Sequence, residues 1–348
     1  MPIFRWRMLL QISAMVVLLN CFFNQTVCAD ISPQSADDFI EDVFEIKIPG
    51  LKGAYNASLV DFEGGYLMAF RYDTYKLPIG KYLNDFFQYI GIILLDENFA
   101  PKGPWQPCIG NRTYDPRLLK VDDTIYMIFA SAAPSDPHSS LSSRLNLCTI
   151  NYSEDGVSVG NLNPLTAPFQ QKWEKNWVLF NYDSQIFTEY SISPHVILQP
   201  SLLDGSCIKP TFAEENNANH KIIKWPFGII RGGTPAILVD GKYLGFFHSS
   251  HVSPRTKQYT YYIGAYTFSN APPFTIDQVS SAPFFHPDFY STPRNPKTNS
   301  LVIFPGGFVI KNDKFYLCYG ENDDAIKIMV LDKEKLFASM LSIDSKSP

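Results

Sequence analysis

Four segments of this chain share one layout, and that layout is a hairpin. They are "NASLVDFEGGYLMAF" (56–70), "DPRLLKVDDTIYMIF" (115–129), "TPAILVDGKYLGFF" (234–247) and "PGGFVIKNDKFYLCY" (305–319). Each has a small or polar head, an apolar strand, a turn of Asp, Asn, Gly or Lys, and an aromatic-rich second strand, the pattern of two antiparallel strands joined by a tight turn. The heads at 56, 115, 234 and 305 are separated by 59, 119 and 71 residues. A gap of 119 is two gaps of about 60, with one copy hidden near "KNWVLF" (Lys175–Phe180) and "SPHVIL" (Ser193–Leu198). That makes five units. A long repeat built from strands is the signature of a β-propeller, with one four-stranded blade per unit. The expectation is an all-β, five-bladed β-propeller forming a single domain.

Length fits this reading once the N-terminus is set aside. Met1–Ala29 has positive charge at Arg5 and Arg7, the apolar core "MLLQISAMVVLLNCFF" and small residues in "VCA" before Asp30. The core is about 16 residues, short of the ~20 that span a bilayer, so it reads as a removable signal peptide rather than an anchor. The mature chain, 30–348, is then expected to be secreted or periplasmic, with no membrane partner. Its 319 residues allow about 64 per blade.

A hydrophobic fraction of 45% with 15% aromatics can bury a large core. The net charge of −5 and the absence of a basic stripe argue against nucleic acid. Four cysteines remain after processing, Cys108, Cys148, Cys207 and Cys318. They allow three pairings between which sequence does not choose. Cys318 sits inside an expected strand and reads as a buried free thiol. No CxxC pair occurs, and His138, His220, His251 and His286 lack metal-ligand spacing, so neither metal nor cofactor is called for.

A propeller decides where chemistry sits, because the heads of its inner strands ring one mouth of the central channel. Asn56 and Arg71, Asp115 and Arg117, and Arg231, Thr234 and His248 are thereby brought together. The last unit adds Gly306, Gly307 and "ENDD" with Glu321, Asn322, Asp323 and Asp324. Lys175 joins them from the hidden unit, with His195 as a weaker companion. Carboxylates, guanidiniums and an imidazole in one pocket suit a sugar or a sugar phosphate. Trp173, Trp177 and Trp225 are candidates to stack on a pyranose face. Each residue also has a plainer reading. Asp115 before Pro116 is a common turn pair, His248 could be a core histidine, and Arg71 a solvated hairpin end.

At these residues the chain resembles glycoside hydrolase family 130, the β-mannoside phosphorylases and β-1,2-mannosidases. The resemblance runs from about Ile48 to Lys335. It is carried by "GAYNASLVDFEGGYLMAFR", "YDPRLLKVDDTIYMIF", "GGTPAILVDGKYLGFFHSS" with "YYIGAYTF", and "VIFPGGFVIKNDKFYLCYGENDD". The resemblance implies that Asp115 is the proton donor, working in the phosphorylases through a hydroxyl of the bound mannose. It implies that Asn56, Arg71 and Asp323 face sugar or phosphate, and that His248 and Tyr261 lie beside the phosphate. There are departures. The family's phosphorylases carry a second arginine six residues after the first, where this chain has Leu77 beside Lys76. A basic residue usually precedes the Gly-rich strand, where this chain has Ile229 with Arg231 close by. No added glutamate marks it as a hydrolase.

The resulting expectation is a carbohydrate-active enzyme that cleaves β-mannosides with inversion, by hydrolysis or phosphorolysis. Its partners would be a β-mannoside oligosaccharide or glycan and inorganic phosphate. An inverting hydrolase needs a base as well as an acid. A phosphorylase needs the acid plus cations to hold phosphate, for which Arg71, Arg117, Lys175 and Arg231 are available. An exported enzyme would strand its sugar phosphate, which favours hydrolysis or transfer. A non-catalytic glycan-binding propeller or a mannosyltransferase-like relative is the alternative.

Overall fold

Strand pairing, rather than helix, organises almost all of the computed structural model. It describes residues 36–75, 86–110, 112–133, 142–153, 156–211, 222–293 and 299–343. The expected signal peptide, Lys76, Leu77, His138 and His220 lie outside these residues.

The first sheet runs Ala54–Phe62, Gly65–Tyr75, Phe86–Leu95 and Gln106–Ile109 in sequence order, and the second Thr113–Val121, Thr124–Ala133, Ser142–Ser153 and Gly156–Pro164. The third runs Val178–Tyr182, Gln185–Ile192, His195–Pro200 and Cys207–Ile208. The hidden repeat is therefore real, but a strand separates its two visible fragments: "KNWVLF" pairs with Gln185–Ile192, and only that strand pairs with His195–Pro200.

The next sheet departs from the regular pattern. It has seven strands, because the head of its hairpin is split into Arg231–Gly232 and Ile237–Val239, and two short strands, Ser300–Leu301 and Met340–Ser342, join it. The last sheet, Ile303–Lys311, Lys314–Glu321 and Ala325–Asp332, takes its outer strand from the other end of the chain, Ile40–Ile46. The arrangement is propeller-like, with four regular four-stranded sheets and one enlarged one.

Apolar residues explain how the sheets associate. Each sheet is apolar on both faces, and the core lies between neighbours. Leu67 and Ile92 of the first sheet meet Met127 and Cys148 of the second, and Leu147 of the second meets Leu179 of the third. Phe187 meets Phe268, Phe246 meets Phe308, and Val309 meets Leu59, returning to the first sheet. All four cysteines are free, Cys318 among them fully buried.

The strand heads have a common distortion. Register shifts fall between Tyr55 and Ser58, between Tyr114 and Arg117, and between Pro305 and Gly307. At the first two bulges Asn56 (φ 47°) and Asp115 (φ 55°) are left-handed, a conformation Asn and Asp tolerate better than other side chains. Asn176 (φ 64°) repeats the feature just ahead of Val178. A bulge re-aims a side chain that would otherwise follow the pleat, and here it turns polar side chains toward the inner end of each sheet. The Gly-Gly heads have a related cause. A Cβ on Gly306 would stand 2.1 Å from the Ala57 carbonyl, and one on Gly232 2.2 Å from that of Asn176. Adjacent sheets approach there closely enough that only glycine fits.

Candidate active site

At the mouth formed by these heads is a cavity of about 710 Å³. Asn56, Arg71, Asp115, Lys175, Arg231, His248, Tyr261 and Asp323 all line it. These eight residues converge from four of the sheets, the turns between their strands and, for Lys175, the segment just ahead of the third, whereas Arg117, Thr234, Glu321, Asn322 and Asp324, grouped with them from sequence, do not line the cavity.

Asp115 is the centre of a buried polar network. Its Oδ1 accepts from Asn56 Nδ2 at 2.8 Å and from Arg71 Nη1 at 3.3 Å. Arg71 in turn donates through Nε to Asp73 Oδ1 at 3.2 Å, and Asp73 also accepts from the Tyr55 hydroxyl. Burial alone would push the Asp115 carboxyl up. Arg71, the Asn56 hydrogen bond, Arg117 and Lys175 outweigh that and hold it below the usual carboxylate range. Asp323 behaves oppositely. Burial, opposed by Arg71 and assisted by Asp115 and Asp73, pushes its carboxyl up to about 6. Two carboxyls in one cavity are thereby driven apart in proton affinity.

The cations and the imidazole have distinct settings. Lys175 Nζ lies 4.9 Å from the Tyr114 ring centroid, and burial lowers its proton affinity. The His248 ring stacks on Tyr261, with centroids 6.0 Å apart. Burial, with Arg117 and Arg231 nearby, drives His248 down to about 3, so it is neutral at any physiological pH. Its Nδ1 has no hydrogen-bond partner.

Arg117 is the exception among the singled-out cations. The sequence groups it with the phosphate-holding cations, but it is 1% exposed and its guanidinium is turned away from the cavity onto backbone carbonyls. Burial lowers its proton affinity to about 10. Other expectations are also corrected. Trp177 is buried, with its indole N–H bonded to Glu174 Oε2 at 3.1 Å, and Trp225 packs on Phe247 while donating to Ser249 Oγ at 2.8 Å. Trp173, half exposed at the rim with Lys175 Nζ 6.0 Å from its ring centroid, is the one of the three that stays accessible. His195 is bound between Glu189 Oε2 (2.8 Å) and the Phe274 carbonyl (2.9 Å), away from the cavity. Ile229 is exposed, and Arg231, two residues on, lines the site.

Sequence reasoning missed Asp73, Asn176 and Glu174. Asp73 had a readable signal, since it lies two residues after Arg71 on the same strand and so on the same face. Lys327 had none, and Glu321, placed at the pocket from sequence, is instead turned into the scaffold. They form a buried pair at 2.8 Å, and Glu321 also accepts from the backbone of Tyr290 (3.0 Å) and Thr292 (2.8 Å). Asn322 bonds Val302 N and the Thr292 carbonyl, each at 2.9 Å. Together they clamp the segment beside Asp323.

A family model described as beta-1,4-mannooligosaccharide phosphorylase matches residues 54–341, nearly the whole of the described chain. The chain belongs to glycoside hydrolase family 130. As a member it is a glycoside phosphorylase or hydrolase acting on mannosides. A comparison with curated proteins finds no match. Among solved structures, it is similar to the β-1,2-mannobiose phosphorylase of Listeria innocua in complex with β-1,2-mannobiose, at 14% identity and TM-score 0.56, covering 83% of this chain and 92% of that one. A mannose phosphorylase of Leishmania mexicana bound to phosphate ion is similar at 13% identity and TM-score 0.53, covering 89% and 94%. A GDP-Man-dependent mannosyltransferase of the same organism has 14% identity and TM-score 0.54, covering 91% and 94%. At these identities the likeness speaks to fold alone.

Proposed function

We propose that this family 130 member cleaves β-mannosides with inversion, with Asp115 delivering the proton to the leaving oxygen and inorganic phosphate as the nucleophile. The observation that carries this is the composition of the cavity wall. It holds Asp115 together with three cations, Arg71, Lys175 and Arg231. Of the other lining carboxylates, Glu174 is engaged by Trp177 and by Tyr190. Asp323, like Asp115 and Asp73, lies in the field of Arg71. Phosphate needs no base, only positioning and charge stabilisation. The seven-stranded sheet reads as an enlarged fifth blade, which gives the cavity five contributing strand heads.

In the free protein Asp115 is ionised. An arriving dianion shares the Arg71 guanidinium and weakens the field that holds the carboxyl deprotonated. Asp115 then takes up a proton from solvent and passes it, directly or through a sugar hydroxyl, to the departing oxygen as the C1–O bond breaks and a phosphate oxygen bonds to C1. The proton of the hydrogen phosphate is returned to solvent. Asn56 keeps the carboxyl oriented throughout.

Hydrolysis is the second reading, and one observation favours it. A carboxyl at about 6 such as Asp323 is suited to accept a proton from water near neutral pH. Export of the mature chain after Ala29 belongs with that reading, and N-terminal sequencing of the isolated protein tests it. The two are separated by incubating the protein with β-1,2-, β-1,3- and β-1,4-mannobiose, with and without phosphate. Mannose 1-phosphate formed only with phosphate supports phosphorolysis. Mannose released equally in both, and lost in Asp323→Asn, replaces it with hydrolysis.

A further inference from the structure

The buried Arg117 guanidinium touches something from each of three sheets. Nε donates to the Gly233 carbonyl, Nη2 to the Gly232 carbonyl and to Asn176 Oδ1, each at 3.3 Å, and Nη1 to the carbonyl of Asp115 itself, at 3.3 Å. Its carbon lies 5.2 Å from the Phe304 ring centroid. No side-chain carboxylate pairs with it among the described residues. A fully buried cation held on carbonyl and amide oxygens is costly unless its geometry matters to something nearby.

Three of the residues whose oxygens it binds, Asp115, Asn176 and Gly232, carry or adjoin a cavity side chain. Asp115 is the proposed acid. Asn176 follows Lys175 in the chain. The Gly232 carbonyl also receives the ring N–H of His248. Because His248 Nδ1 is buried and unpartnered, that N–H is Nε2. Gly232 and Gly233 are glycines for the same reason: a Cβ on either would meet backbone at 2.2 or 2.4 Å and push the carbonyls away from the guanidinium. Only the planar five-donor fork of arginine satisfies these oxygens at once.

We propose that Arg117 is a positioning residue that sets Asp115, Lys175 and His248 relative to one another, and that it contacts neither sugar nor phosphate. This rests on the reading of Asp115 as the acid. Removing such a strut displaces reacting groups by fractions of an ångström to about an ångström, which costs on the order of 100-fold in rate, while cations that hold substrate stay in place.

The test compares Arg117→Lys, which keeps the charge and loses the fork, with Arg117→Met, which loses both. Near-UV dichroism verifies that each is folded. Both should lower kcat on the mannobiose substrate about 100-fold, with KM for phosphate within about threefold of the parent. Methylguanidinium added to Arg117→Ala should restore at least about tenfold of the lost rate. A kcat within threefold of the parent combined with a tenfold rise in KM for phosphate would make Arg117 a ligand contact and overturn the proposal. Unchanged kinetics would overturn it as well. A parent protein without turnover on any mannobiose would remove the reading of Asp115 instead. In that event the NMR resonances of the His248 ring still decide about Arg117. They should move in Arg117→Lys, which keeps the charge and loses the fork, and unchanged resonances reject the strut.

Discussion

Asp115 and Glu321 are both buried acids beside a cation, and they do opposite things. Glu321 is fully inaccessible, and it accepts from Lys327, two backbone amides and the Ser291 hydroxyl. Asp115 is 14% exposed, uses one oxygen for Asn56 and Arg71, and faces a cavity. A buried charge whose lone pairs are filled is part of the scaffold. One left partly open, in a field that fixes its protonation, is available for chemistry. The same contrast separates His195, bound at both nitrogens, from His248, bound at one.

The largest expected effect breaks the open side of this comparison. Asp115→Asn keeps the shape and removes the transferable proton, so turnover of mannobiose should fall by roughly 10²–10⁴-fold. An aryl mannoside with a good leaving group should suffer less. Equal losses on both substrates, with a lowered Tm, would move Asp115 to the scaffold class with Glu321.

Breaking the filled side should be felt in stability. Glu321→Gln leaves the Lys327 ammonium buried and unpaired, which costs about 3–5 kcal/mol. Urea unfolding measures it, and a change below about 1 kcal/mol would mean the clamp is not held by charge.

A smaller effect sharpens the comparison through pH. The folded-state proton affinity of Asp323, about 6, lies above its ordinary value of 3.8. The stability tied to its protonated form is present below pH ~4 and is lost as pH rises through 6. Asp323→Asn should therefore be more stable than the parent at pH 8, by about 1–3 kcal/mol, and equal to it at pH 3. Asp115, held low, has the opposite sign. Its contribution is present above the unfolded value and is lost as pH falls. Unfolding curves at three pH values decide, and a pH-independent difference would contradict the burial of Asp323.

The smallest effect is at the rim. Trp173→Ala removes the half-exposed indole at the rim and should raise KM for a mannobiose by about fivefold, near 1 kcal/mol, with kcat retained. Fluorescence quenching by added mannobiose should vanish in the same variant. An unchanged KM would leave the rim without a stacking platform.

Much of this was legible in the chain itself. The hairpins recur because alternating apolar residues and Asp/Gly turns are local signals, and the polar heads at Asn56 and Asp115 stand at a spacing that survives folding. From these the repeat and the β-class follow, and, with the family resemblance, eight of the residues that line the cavity. The third repeat was faint because its head, Asn176, differs from the others in its neighbours and its middle strand, Gln185–Ile192, is interrupted by polar residues.

What only the tertiary structure decided is which charges point where. Arg71 and Arg117 look alike in sequence, each closing or opening a hairpin, yet one guanidinium meets the cavity and the other meets Gly232 and Gly233, 115 and 116 residues away. The left-handed bulges at Asn56 and Asp115 turn side chains off the pleat, and no two-residue periodicity announces them. The protonation of Asp115, Asp323 and His248 likewise depends on burial and on partners from other sheets. Local pattern determines strands because their hydrogen bonds are sequence-near. Long-range electrostatics and close backbone approach have no such local signature, so the site's chemistry is set only once the sheets are packed.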